Sequence, residues 1–127
     1  MGALGVIAAV ALGGAIGSLA RHGLNVAFAH VFVRPVPYAT AAVNLIGSAV
    51  VGVLAGLIAS QRLTMTPTMR AFVFVGVLGG FTTFSSFMLD TLTIMQRSER
   101  ALAMSNVIGQ TAIGLLAVCV CYFLAAR

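Results

Sequence analysis

The residues best suited to chemistry lie in one stretch, Val75 to Phe87, VGVLGGFTTFSSF. It carries the hydroxyls of Thr82, Thr83, Ser85 and Ser86. Phe84 and Phe87 are three residues apart and share a face wherever the stretch is helical. None of these groups is a strong acid or base. What they offer is weak polar contact: hydroxyls donate and accept, and an aromatic ring has a positive edge that can touch an anion. Asn44 adds an amide with two donors inside an otherwise apolar run. Asn106 and Gln110, four apart, share a helix face and with Asn44 and the hydroxyls could line a narrow polar track. Weak, numerous contacts to a dehydrated small anion are what conduction requires. The plainer alternative is that the amides bond helix to helix and the phenylalanines pack.

Such groups need a scaffold at membrane depth. Of 127 residues, 61% are hydrophobic and 7% charged, against roughly 25% charged in a soluble domain. The mean hydropathy is +1.11. One integral membrane domain over residues 1–127 follows. The net charge of +5 comes from seven arginines against Asp90 and Glu99. Those arginines are scattered, so they read as headgroup anchors to the lipid bilayer, and no cluster tracks a nucleic-acid backbone. The start, MGALGVIAAV, has no basic leader and reads as a spanning helix rather than a cleaved secretory signal.

Uncharged runs divide the chain at Met1 to Ala20, continuing past Arg21 to Val33, then Pro35 to Gln61, Ala71 to Leu89 and Ala101 to Ala126. Each meets the requirement of roughly 20 residues for a span. The fold class expected is an all-α membrane protein of four transmembrane helices. The third is expected to be broken near its middle, because Gly79 and Gly80 precede the hydroxyl cluster. Gly13 and Gly17, and the stripe Asn44, Ser48, Gly52 and Gly56, are set for close helix packing. Four such helices barely enclose a pore, so assembly of copies is expected.

Orientation has little to decide it. Arg62, Arg70 and Arg127 fall on one side of the membrane and Arg34, Arg97 and Arg100 on the other, with Arg21 in or near the end of the first helix. Absent a bias, copies can insert both ways and pair as an antiparallel dual-topology homodimer. A weak preference set by the first helix is the other reading. Arg21 snorkels at a helix end or stands in a vestibule that draws anions in. His22 and His30 read as interfacial, and Asp90 as a charge closing the third run. Cys119 and Cys121, two apart, point to different faces and form no evident pair.

GGFTTFSSF resembles the GGLTTFSTF signature of the Fluc (CrcB) fluoride channels. TAAVNLIGSAVVG is similar to that family's second helix, GGAIGSLAR to its first, and NVIGQ to a common NVLGS run in its fourth. The likeness covers essentially the whole chain in order. It implies a passive fluoride-selective channel of the cell inner (plasma) membrane, an antiparallel dimer with two pores that lowers cytoplasmic fluoride. It further implies pores lined by Phe84 and Phe87, with donors from Asn44 and with Ser85 and Ser86 near the path. A structural Na⁺ at the dimer centre would be held by the backbone carbonyls of Gly79 and Thr82. Four positions depart from the family's usual residues: Phe81 for Leu, Ser86 for Thr, Asp90 for Glu, and Gln110 where Ser is frequent. Gln110 is the substantial change, because a longer amide alters the polar track.

The main rival is a proton-coupled small multidrug transporter, also a four-helix dual-topology dimer. It needs a membrane-embedded carboxylate, and the first helix has none, while Asp90 and Glu99 are expected at a helix end and in a loop. A purely structural assembly subunit would leave the third-helix hydroxyls without a purpose. No nucleophile–base pair, metal-ligand cluster or phosphate loop points to an enzyme.

Overall fold

In lipid a segment must satisfy its own backbone hydrogen bonds, and a helix does so within a single segment. The computed structural model describes residues 2–33 and 37–127, so Arg34 and Pro35 of the first linker lie outside the described residues. Among the described residues four helices are long and apolar enough to cross a membrane: α1 (Ala3–Val31), α2 (Tyr38–Ala59), α3 (Pro67–Gln96) and α4 (Arg100–Ala125). The protein is thus an all-helical, multi-pass membrane protein.

The first helix runs past Arg21 to Val31, within the uncharged run that continues to Val33, whereas the third differs from its expected bounds. The third element extends beyond Ala71 to Leu89 at both ends. It begins where Thr66 accepts a hydrogen bond from the Met69 amide at 3.2 Å, with Pro67 in the first helical turn. It runs on to Gln96, so Asp90 sits inside a helix rather than at its end.

The four helices pack as two close pairs. α1 lies along the first part of α3, and α2 lies along α4, while α1 and α2 touch little. Glycine explains both pairings. A Cβ on Gly17 would stand 2.1 Å from the Val77 carbonyl oxygen, and one on Gly13 2.4 Å from that of Phe72. Across the molecule, a Cβ on Gly52 would meet the Val118 carbonyl at 2.5 Å, and one on Gly56 that of Tyr122 at 2.4 Å. Without side chains these backbones approach closely, which is how helices associate in lipid. The glycine half of the α2 stripe serves this packing, whereas Asn44 at its head serves a hydrogen-bond network.

The fully enclosed core is small: Val43 and Ile94 are the largest side chains with essentially no exposure. Leu4, Leu19, Val75, Leu115 and Phe123 face outward, as expected where lipid or another protein surface covers them. Arg62, in the α2–α3 connection, donates to the Ala125 carbonyl at 3.2 Å and so places a cation at the C-terminus of α4.

Candidate functional site

The third helix departs from regular α geometry in two steps. Ala71–Leu78 is π-helical, a form that often marks functional positions. Gly79–Phe81 is a short α-helical turn, and helix resumes at Phe84–Gln96. Between them Thr82 and Thr83 are extended, with φ/ψ of −77°/159° and −154°/116°. The glycines therefore do not supply the irregular backbone: Gly79 has helical dihedrals of −65° and −35°, and Gly80 packs against Gly14.

Asn44 holds this irregular point. Its Oδ1 accepts from the Thr83 amide at 2.9 Å, and its Nδ2 donates to the Thr83 carbonyl at 3.1 Å. An extended residue turns its N–H and C=O to one side, so a side-chain amide can pair with both, as a neighbouring strand would. Thr83 also starts the second half of the helix: its hydroxyl accepts from the Ser86 amide at 3.2 Å and donates to Ser86 Oγ at 3.0 Å. This is an N-cap. Thr83→Ala should therefore lower stability by about 1 kcal/mol. Thermal unfolding of the detergent-solubilised protein measures this, and Thr83→Ser should restore most of the loss.

From Asn44 a line of hydrogen bonds crosses the molecule. Asn44 Nδ2 donates to Gln110 Oε1 at 3.2 Å, and Gln110 Nε2 to Asn106 Oδ1 at 2.7 Å. Asn106 Nδ2 donates to Thr91 Oγ1 at 2.9 Å, and the Thr91 hydroxyl to the Phe87 carbonyl at 2.8 Å. The three amides named from the sequence are thus in one network that joins α2, α4 and α3. Thr91 carries no signal in the sequence: a threonine four residues after Phe87 commonly bonds back to its own helix, and only the fold brings it to Asn106. Thr111, the residue after Gln110, is exposed and outside this line. Among the described residues no buried side-chain nitrogen or oxygen lacks a partner, which a membrane interior demands.

The phenylalanines meet edge to face, with ring centroids 5.9 Å apart and planes at 68°. Phe84 is 74% exposed and Phe87 only 6%, so a single chain presents one ring outward and buries the other. Ser85 is exposed and Ser86 half-buried. Asn44, Ser48, Thr82, Thr83 and Phe84 border a cavity of 310 Å³. The N-terminus of the Phe84–Gln96 helix opens beside it, an end whose backbone dipoles favour negative charge.

Arg21 is half-buried, and its Nη1 lies 3.5 Å from the Thr82 carbonyl. It thus turns inward to the irregular point instead of snorkelling at a helix end, and it adds positive potential there. Asp90, expected at a helix end, accepts a short hydrogen bond from Thr40 of α2. This removes one argument against the multidrug-transporter reading. The absence of any acid from α1 remains.

Residues 8–122 match the family model described as CrcB-like protein, Camphor Resistance (CrcB). Relatives named fluoride-specific ion channel FluC are similar along most of their length. That of Opitutus terrae is 43% identical over 110 residues, covering 86% of this chain and 83% of the relative. That of Magnetococcus marinus is 44% identical over 111 residues, covering 87% and 89%. That of Rhodospirillum centenum is 48% identical over 92 residues, covering 72% of each.

Proposed function

The chain belongs to the CrcB-like family, and on that footing we propose that it is a fluoride channel, a passive conductor rather than an enzyme. One observation carries the reading beyond the family: a helix N-terminus, an amide and an exposed aromatic ring converge on one cavity with no carboxylate lining it. That assembly suits a small anion and offers nothing to a cationic drug. We place it in the cell inner (plasma) membrane, where it would let fluoride leave the cytoplasm.

The pore is formed by Asn44, Phe84, Phe87, Ser85, Ser86, Asn106 and Gln110, with Arg21 drawing anions toward it. The exposure of Phe84 and the open cavity beside it support completion of the path by a second copy. The near-equal arginine counts on the two sides support an antiparallel dual-topology homodimer with two such paths.

The irregular point in α3 is read as a functional break in that helix. In a continuous helix the Thr83 amide would bond the Gly79 carbonyl, and the Ser86 amide that of Thr82. Here the first goes to Asn44 and the second to the Thr83 hydroxyl. Both carbonyls are thereby relieved of a helical partner, and among the described residues the Thr82 carbonyl keeps only the long Arg21 contact. Gly79 is exposed. Neutral carbonyl oxygens are hard ligands suited to Na⁺, and two per chain fall short of a full shell. This supports a structural Na⁺ shared by two copies, where it would offset the carbonyl dipoles and hold the dimer centre together.

The test is release of fluoride from liposomes containing the purified protein, followed with a fluoride electrode, with the potential clamped by valinomycin. Chloride-loaded liposomes are the control. Fluoride release without chloride release is expected. Release of both would remove the selectivity, and release of neither from intact dimers would overturn the channel. Phe84→Ile keeps bulk but loses the ring edge, so flux should fall about 10-fold or more while size-exclusion still shows the dimer.

A further inference from the structure

The amide of Asn44 has two N–H groups, and both are taken. Which atom is which follows from the network itself. The Thr83 amide can only donate, so the atom facing it must be Asn44 Oδ1. Nδ2 then faces the Thr83 carbonyl and Gln110. The far end fixes the same sense. The Phe87 carbonyl can only accept, so the Thr91 hydroxyl gives its one proton there and must accept from Asn106. Asn106 then presents Oδ1 to Gln110 Nε2, which leaves Gln110 Oε1 toward Asn44. Two independent ends impose one direction on the whole line.

We propose that Gln110 is a built-in competitor of fluoride: its side-chain carbonyl occupies the Asn44 donor that the ion needs, so fluoride enters by displacing it. This rests on the channel reading above and assigns Gln110 a role in setting the working concentration. Gln110 is a positioning residue acting through Asn44. A hydrogen bond to an anion is about twice as strong as a neutral one, so fluoride can win the exchange, at an affinity lowered by the bond it breaks. Displacement also has room. Gln110 borders a second cavity of 210 Å³ with Gly109, Leu45, Leu102 and Ile113, into which its head can swing. Serine, the residue frequent at this position in the resembled family, lacks the reach to hold Asn44 in this way.

Full-length wild type, Gln110→Met and Gln110→Ser are reconstituted in liposomes, and initial fluoride efflux is measured against fluoride concentration. Methionine keeps the length and bulk and removes the carbonyl. Both variants should reach half-maximal flux at about 3- to 10-fold lower fluoride. A half-saturating concentration unchanged or raised in Gln110→Met, in dimers verified by size-exclusion, would overturn the proposal. If Gln110→Ser fails to fold, Gln110→Met decides alone. The Asn44 side-chain amide signal, followed by ¹⁵N NMR in nanodiscs on titration with sodium fluoride, separates this inference from the channel reading. A shift at lower fluoride in Gln110→Met than in wild type supports the competition even if wild-type efflux fails. Equal titrations in the two proteins overturn it.

Discussion

Asn44→Asp is expected to reduce fluoride efflux by roughly 100-fold or more and to destabilise the protein as well. The substitution is nearly isosteric, so the side chain still reaches Thr83 and can still accept from its amide. It loses both donors, and the carbonyls of Thr83 and Gln110 are left facing an oxygen. An unsatisfied buried acceptor costs about 1–3 kcal/mol, and two are created. Each 1.4 kcal/mol is about a factor of ten in affinity. A carboxylate in place of the donor also repels the transported anion. Liposome efflux and thermal unfolding, read together, separate the two effects. Near-normal flux from correctly folded protein would mean that the Asn44 donors take no part in conduction, and the pore assignment would have to move.

The second large effect concerns assembly of the scaffold. Gly17→Val should prevent stable folding, at a cost of about 3 kcal/mol or more. Its Cβ would lie 2.1 Å from the Val77 carbonyl oxygen and 2.8 Å from the Phe81 amide nitrogen. Both are backbone atoms of α3, so neither can yield by changing rotamer. The damage would also spread to the site, because Phe81 directly precedes the Thr82–Thr83 interruption. Gly23→Val is the control on the same helix: a Cβ there meets nothing within 4 Å, so stability should change by less than about 0.5 kcal/mol. Unfolding temperatures in detergent compare the two. Equal stability would mean that α1 and α3 do not pack through Gly17.

The all-helical fold with four spans, and the polar groups that lie at membrane depth, were legible in the sequence because both depend on local pattern. An uncharged run of sufficient length must be a helix in lipid, and four such runs stand between charged linkers. Asn44 and Gln110 stood out because an amide in such a run is costly unless it is paired. The glycines announced close packing, since a missing Cβ has that consequence wherever a neighbour exists.

Which neighbour exists was not legible. Nothing in GGAIGSLAR says that Gly17 meets α3 rather than α2. The position of the irregular backbone also escaped the sequence. Gly79 and Gly80 have the residue type that favours a break, yet they stay helical. Thr82 and Thr83 leave the helix because Asn44, 39 residues earlier, offers Thr83 both an acceptor and a donor. Local propensity is worth about 1 kcal/mol at a glycine, whereas two hydrogen bonds in a low-dielectric interior outweigh it. The choice between the two readings of Arg21 stayed open for a related reason: a half-buried guanidinium is tolerable where another helix supplies a carbonyl, and the sequence does not say that one does. The sequence by itself determined which polar groups the membrane interior would have to accommodate. Only the tertiary structure decided their partners, because a hydrogen bond between helices depends on how the helices pair, and no spacing along one chain encodes that.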